Sequence, residues 1–203
     1  NARSTLANLP YVESAASGSN IFLDGLSGEV LTNAAGHDVS LRWMQADKDY
    51  IPFLGLKMKE GRNMAKDGEV VVNEKFLEIM NMEEDPIGRQ VGKRDNVMGT
   101  IVGVLKDFPT SNPAYEPIQP LFITYAPNFN GTVLLKLKEP FEENLRNLNK
   151  DVREIFPQND LVFKSYPGLI SQQERSVTNF RNAAVLAAIT ILFITLMGLI
   201  GYI

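Results

Sequence analysis

The 203-residue chain contains no cysteine and a single histidine, His37. Without thiols there is no disulfide scaffold, no thiolate nucleophile and no zinc site with a sulfur ligand, and one imidazole excludes a two-histidine metal site within the chain. Basic charge is also in short supply. Twenty Lys and Arg stand against 24 Asp and Glu, a formal net charge of −4 with a pI near 5.1. A nucleic-acid partner calls for a basic stripe, so no such partner is expected. The net charge is in turn too small, and the 44% hydrophobic content too high, for a disordered chain. The length suits one large domain or two small ones. The missing cysteines do not fix the compartment.

Charge disappears altogether after Arg181. Over 183–203 no residue is charged and 17 of 21 positions are hydrophobic, interrupted by Thr190, Thr195, Gly198 and Gly201. What precedes has roughly 40% hydrophobic residues, ordinary for a soluble body. At about 1.5 Å per residue the apolar run reaches about 31 Å as a helix, the hydrocarbon thickness of a bilayer. The two glycines suit close helix approach in a membrane, and Tyr202 suits an interface. The run therefore reads as a transmembrane helix over 183–203, the alternative being a C-terminal helix buried in the core. The opening at Asn1 lacks a basic stretch followed by an apolar one, so it is no signal peptide. Both ends read as cut from a longer membrane protein. Arg175 and Arg181 before the span do not set its orientation, because long domains translocate regardless of such charges.

The pattern along the body is mixed. A short helix over 1–8, with Leu6 and Leu9 as apolar contacts, ends at Pro10 and is followed by a strand over 12–17. The glycine-rich stretch 17–36 reads as a hairpin or long loop, and Val39, Leu41 and Trp43 alternate as a half-buried strand. A helix is expected over 47–54 with Asp47 at its start and Gly55 at its end. Val70 to Val72 form a strand core leading through Asn73 into a helix with Phe76, Leu77 and Met80 on one face. Asp85-Pro86-Ile87-Gly88 is a turn, after which 90–92 and 100–105 read as strands joined by a charged tip. A proline-rich loop precedes a strand over 121–125. The last third reads as β-α-β: Val133, Leu135 and Leu137 in a strand, a helix opened by Pro140 with Glu142 and Glu143 in its first turn, then a strand over 161–164. Ser171 and Glu174 form a capping box that starts a stalk helix over 171–182 running into the apolar segment.

Motifs that carry chemistry are scarce. There is no GxxxxGK[ST] phosphate loop and no G-x-S-x-G elbow. His37 follows Gly36 in a loop, Glu83-Glu84-Asp85 is a solvated charge run, and Glu142 and Glu143 are neighbours that diverge on a helix. Asn130-Gly131-Thr132 matches a glycosylation sequon but equally a turn before a strand. No catalytic, cofactor-binding or metal-binding residue is therefore assigned, and the body reads as a structural or binding module.

Several short motifs occur in a recognisable order. Pro10-Tyr11-Val12-Glu13 comes first, then Asp49-Tyr50-Ile51-Pro52-Phe53-Leu54-Gly55-Leu56 with Lys59-Glu60-Gly61-Arg62. Val70-Val71-Val72-Asn73-Glu74 and Asp85-Pro86-Ile87-Gly88-Arg89 follow, and then Ile101-Val102-Gly103-Val104-Leu105-Lys106-Asp107-Phe108 with the later Pro120. In this order, and followed by an apolar span, they resemble FtsX-like ABC-transporter permeases of the MacB type, with the Bacteroidetes-type branch the nearer match. The resemblance covers nearly the whole chain. Gly61, Gly88 and Gly103 within these motifs are expected to serve turns or close backbone approach, and Asp107 to cap the turn after its strand.

The resemblance implies an α+β fold. A discontinuous porter-like α/β subdomain would comprise 1–65 and 119–170, with an inserted β-rich subdomain over 66–118. It implies a periplasmic domain, residues 1–182, of a permease in the bacterial inner membrane, coupling ATPase-driven motion to export or handling of a cargo outside that membrane. The implied partners are a cytoplasmic ABC ATPase subunit, a second permease copy, a periplasmic adaptor and membrane lipid. No enzyme activity is implied for this chain, since ATP hydrolysis falls to the ATPase subunit, and no cofactor. The alternative is a membrane-anchored sensor or assembly module without transport. An anchored hydrolase is disfavoured by the missing nucleophile–base pair.

Overall fold

The computed structural model describes residues 2–19, 27–93, 96–110, 117–129, 131–159 and 161–165. The chain divides after Asn144 into two compact units. The stalk helix expected over 171–182 and the span expected over 183–203 lie outside the described residues. Among the described residues, no helix is long and apolar enough to cross a membrane.

In the first unit α1 (Ala2–Ala7) leads into β1 (Val12–Gly18), and β2 (Ser27–Thr32) and β3 (Asp38–Ala46) form a hairpin. Then come α2 (Tyr50–Phe53), β4 (Met58–Gly61), β5 (Glu69–Asn73), α3 (Glu74–Met80), β6 (Gln90–Lys93), β7 (Asn96–Leu105), β8 (Leu121–Tyr125) and β9 (Thr132–Leu137). These strands share one mixed sheet in the order β4-β7-β5-β8-β3-β1-β9, with β2 added to β3 and β6 to β7. The pairs β3–β8 and β5–β7 are parallel and the others antiparallel. The class is α+β, as expected. Strands from each of the segments 1–65, 66–118 and 119–170 stand in this one sheet.

The central strands β5 and β8 are largely apolar because both sheet faces are covered, as a strand buried on two sides requires. Val71, Leu105, Leu121 and Ile123 pack on one face with Met44, Ala46, Tyr50 and Ile51. Val70, Val72, Ile101, Val104 and Phe122 pack on the other with Leu31, Leu41, Phe76 and Met80. Trp43 stacks on Phe122 at 6.3 Å, and its indole N–H donates to Thr124 Oγ1 at 2.9 Å. The turn of the β2–β3 hairpin closes the end of α3: the Asn33 side-chain amide donates to the Ile79 carbonyl and the Ala34 N–H to that of Met80, each at 3.2 Å. Carbonyls that a helix end leaves open are thus satisfied.

Several boundaries differ from the sequence reading. Strand β2 lies in the stretch read as hairpin or loop, and β4 was not expected; Ser27-Gly28-Glu29 and Lys59-Glu60-Gly61 carry too little apolar alternation to announce a strand. Helix α2 is shorter than expected, starts at Tyr50, and has no side-chain cap bond from Asp49. Strand β7 begins at Asn96, four residues before the expected start at 100.

Helix α4 (Phe141–Ile155) begins in the first unit and forms most of what is described of the second. In the second unit Leu148 and Val152 are buried. The strand expected over 161–164 is not formed; among the described residues this segment pairs with no strand. Instead the Asn149 side chain holds the backbone of Phe163, accepting its N–H at 2.7 Å and donating to its carbonyl at 2.9 Å. One amide thus takes the two bonds that a neighbouring strand would have supplied. A β-α-β path does occur, but earlier, where β5 passes through α3 and β6 to its parallel neighbour β7.

Candidate functional site at the N-terminal helix

The residues weighed for chemistry do not converge. The turn carrying His37 is exposed, its backbone bonded to Asn33. Glu83, Glu84, Asp85, Glu142 and Glu143 are exposed on two separate elements, and Asn130 lies outside the described residues. Among the described residues, no three His, Asp or Glu side chains come together as metal ligands would.

The motif residues prove to hold elements together. Asn73 caps α3: its Oδ1 accepts the Phe76 N–H at 3.0 Å and the Leu121 N–H at 2.8 Å, while its Nδ2 donates to the Gln119 carbonyl at 2.9 Å. Asp107, expected to cap the turn after its own strand, instead accepts the Lys75 N–H of α3 at 2.9 Å, and Glu74 accepts the Asp107 N–H at 3.0 Å. Lys59 of β4 completes this knot at 2.7 Å from Glu74, whose carboxyl it holds below the usual range. Gly61 (φ +72°) and Gly103 face each other across β4 and β7. A Cβ on Gly61 would stand 2.9 Å from the Gly103 Cα and one on Gly103 would strike the Arg62 carbonyl, so the two strands meet only through glycine. Gly88 (φ +91°) closes the turn after Ile87.

Two charged clusters are built into the sheet. In the first, Glu69 at the start of β5 is buried and takes a fork of bonds from Arg62, with further N–H donors from Ala65 at 2.7 Å and Lys66 at 3.3 Å. The guanidinium bond is the largest cause holding the Glu69 carboxyl at about 2, well below an ordinary carboxylate.

The second cluster fixes the N-terminal helix. Arg3 donates from Nη2 to the Ala15 carbonyl at 2.8 Å and to the Asp49 carboxylate, and its Nε lies 3.0 Å from Asp47 Oδ2. Asp47 is buried where β3 ends; it accepts the Ser17 N–H at 2.8 Å and the Asp49 N–H at 2.9 Å. Its own N–H donates to the Ser17 carbonyl at 2.8 Å. Burial pushes the Asp47 carboxyl up, against the lowering pull of Arg3 and the two N–H donors. Tyr50 packs so closely under Gly18 that a Cβ there would meet its ring at 2.6 Å, and its hydroxyl donates to the Ser19 carbonyl. Arg3 thus joins α1 to β1, to the end of β3 and to the start of α2. Chemically, the arrangement can fix and transmit position; it offers no nucleophile–base pair.

The sequence reading missed Arg3 and took Asp47 for a helix start. A signal was present: Arg3 is the one charge on an otherwise neutral helix, and Asp47 and Asp49 alternate just before α2.

The fold is similar to that of solved extracytoplasmic domains of MacB-type ABC-transporter permeases. The periplasmic region of MacB from Actinobacillus actinomycetemcomitans matches with a TM-score of 0.57 at 15% identity, over 75% of this chain and 72% of that one. The extracellular domain of the noncanonic ABC-type transporter YknZ from Gram-positive bacteria matches with a TM-score of 0.56 at 12% identity, over 77% and 80%. No protein-family model matches the chain, and no curated protein matches it in sequence.

Proposed function

We propose that the chain is the extracytoplasmic domain of an ABC-transporter permease subunit, a mechanical element that couples the motion of a cytoplasmic ATPase to the export or handling of a cargo outside the membrane. The observation that carries this reading is the fold shared with the MacB and YknZ domains over about three quarters of the chain. Residues 1–182 would lie in the periplasm and 183–203 in the inner membrane. The division into a porter-like part, 1–65 and 119–170, and an inserted part, 66–118, belongs to the same proposal. So do a second permease copy, a periplasmic adaptor and contact with lipid. The chain itself would be no enzyme and need no cofactor.

The test is purification of the intact permease from its host membranes, followed by photolabelling with an azido-ATP analogue. A co-purifying ATPase subunit should label, while the 203-residue chain alone should show no saturable nucleotide binding by calorimetry. A permease that brings down no ATP-binding subunit would reject transport and favour an anchored sensor or assembly module.

A further inference from the structure

We propose that the basic flank of α4, together with the segment 161–164 held along it, is a docking face for an anionic lipid surface. The inference deepens the membrane part of the permease reading and rests on it.

Charge is distributed unevenly along the chain. Residues 1–144 carry 14 Lys and Arg against 20 Asp and Glu, whereas 145–182 carry six against four. The acidic chain thus turns basic in the stretch that leads to the uncharged apolar run. In the second unit this charge is also ordered. Leu148 and Val152 are the buried side of α4, and Asn149, next to them, holds the backbone of Phe163 through two bonds. With about 3.6 residues per turn, Arg153, Arg146 and Lys150 stand about 40°, 60° and 100° round the helix from Asn149, away from Leu148 and Val152. All three are exposed. Glu142 is the one carboxylate of α4 in that arc, and it belongs to the first turn. Glu143, Asp151 and Glu154 stand further round.

The segment held by Asn149 adds the apolar half of the face. Leu161 is 39% and Val162 52% exposed, and Lys164 is exposed with them. Branched aliphatic groups left in water on the same flank as a row of cations suit the headgroup region of a bilayer. Phosphates there meet the cations, and the acyl boundary receives the aliphatic groups. An acidic protein would answer the cations alone. The order of the chain favours lipid as well, because only 165–182 separate Lys164 from the run that reads as a membrane span.

The absence of cysteine makes the test direct: in the whole 203-residue chain, Val162→Cys carries a single nitrobenzoxadiazole probe. The chain is reconstituted with vesicles of phosphatidylcholine alone, or of phosphatidylcholine and phosphatidylglycerol in equal parts. With phosphatidylglycerol the probe emission should shift to the blue and be quenched by spin-labelled lipid. In phosphatidylcholine alone it should keep its value in water. Salt at about 1 M, where the Debye length is about 3 Å, should reverse the shift. Replacing Arg146, Lys150 and Arg153 together by Gln should weaken docking at least about tenfold, with the near-UV dichroism of Trp43 unchanged. A shift of equal size in both vesicles would overturn the proposal. So would no shift in either, which would leave an acidic protein as the partner of the cations. Flotation with phosphatidylcholine vesicles reports separately on the apolar run. A chain that floats without a phosphatidylglycerol-dependent shift keeps its span and loses the docking face. One that shows the shift but does not float with phosphatidylcholine keeps the face and loses the span.

Discussion

Two buried carboxylates in this chain respond to acid with opposite signs, and each sign follows from what surrounds the group. Glu69 is held at about 2 by the Arg62 fork, far below its ordinary 4.5. Its contribution to stability is therefore complete above about pH 4.5 and disappears as pH falls towards 2. Asp47 is raised above 3.8 because burial outweighs Arg3 and the amide donors. The folded state then holds its proton more tightly than the unfolded chain, so its contribution declines as pH rises from 3.8 through the raised value. Glu69→Gln should lower stability at pH 7 by about 1–2 kcal/mol, a modest loss because Arg62 is more than half exposed and regains water. The same variant should flatten the loss of stability between pH 4.5 and 2. Urea unfolding followed by Trp43 at pH 7 and pH 3 checks both; an acid limb as steep as the wild type's would show that Glu69 is not the group responsible.

Elements in this fold are joined by motif residues more than by propensity. Asn73 serves α3 and β8 at once, so Asn73→Ala removes a helix cap and leaves the Leu121 N–H without its acceptor. The expected cost is about 2–3 kcal/mol by urea unfolding, above that of a cap alone. Gly103→Ala should cost about 1–3 kcal/mol by overpacking and should free β4 from β7, seen as faster amide exchange over 58–61. Equal exchange there would mean that the strands can part enough to admit a methyl group. What the sequence made legible was what depends on apolar runs: Val70 to Val72, 121–125 and the alternation at Val39 and Leu41 mark strands whatever lies beside them. What it hid depends on partners far along the chain. Strand β4 has a single hydrophobic residue, Met58, and exists because Gly61 and Gly103 allow close approach. The segment 161–164 has the apolar look of a strand, but its pairing groups go to Asn149, a choice that no local pattern reveals. The Arg3 seat was hidden for the same reason, its partners lying 12, 44 and 46 residues away.

At the scale of the whole molecule, the question is how the body depends on the apolar run at the end of the chain. Among the described residues, both hydrophobic clusters draw their buried members from 16–123, and the strand order runs within 12–137. Removing 183–203 should therefore leave a body that unfolds cooperatively, with the near-UV dichroism of a fixed Trp43 stacked on Phe122. If the run is a membrane span, the same truncation should move the protein from the membrane fraction to the soluble one. If it were a core helix, the truncated chain would lose its near-UV signal while keeping far-UV dichroism, the mark of a core whose packing has come apart. The two measurements separate the alternatives because burial in lipid and burial in the core differ in what is left behind: a complete sheet in the first case, an open face in the second. With every charged side chain before residue 182 and nine strands already joined in one sheet within 12–137, we expect the soluble, cooperatively folding body.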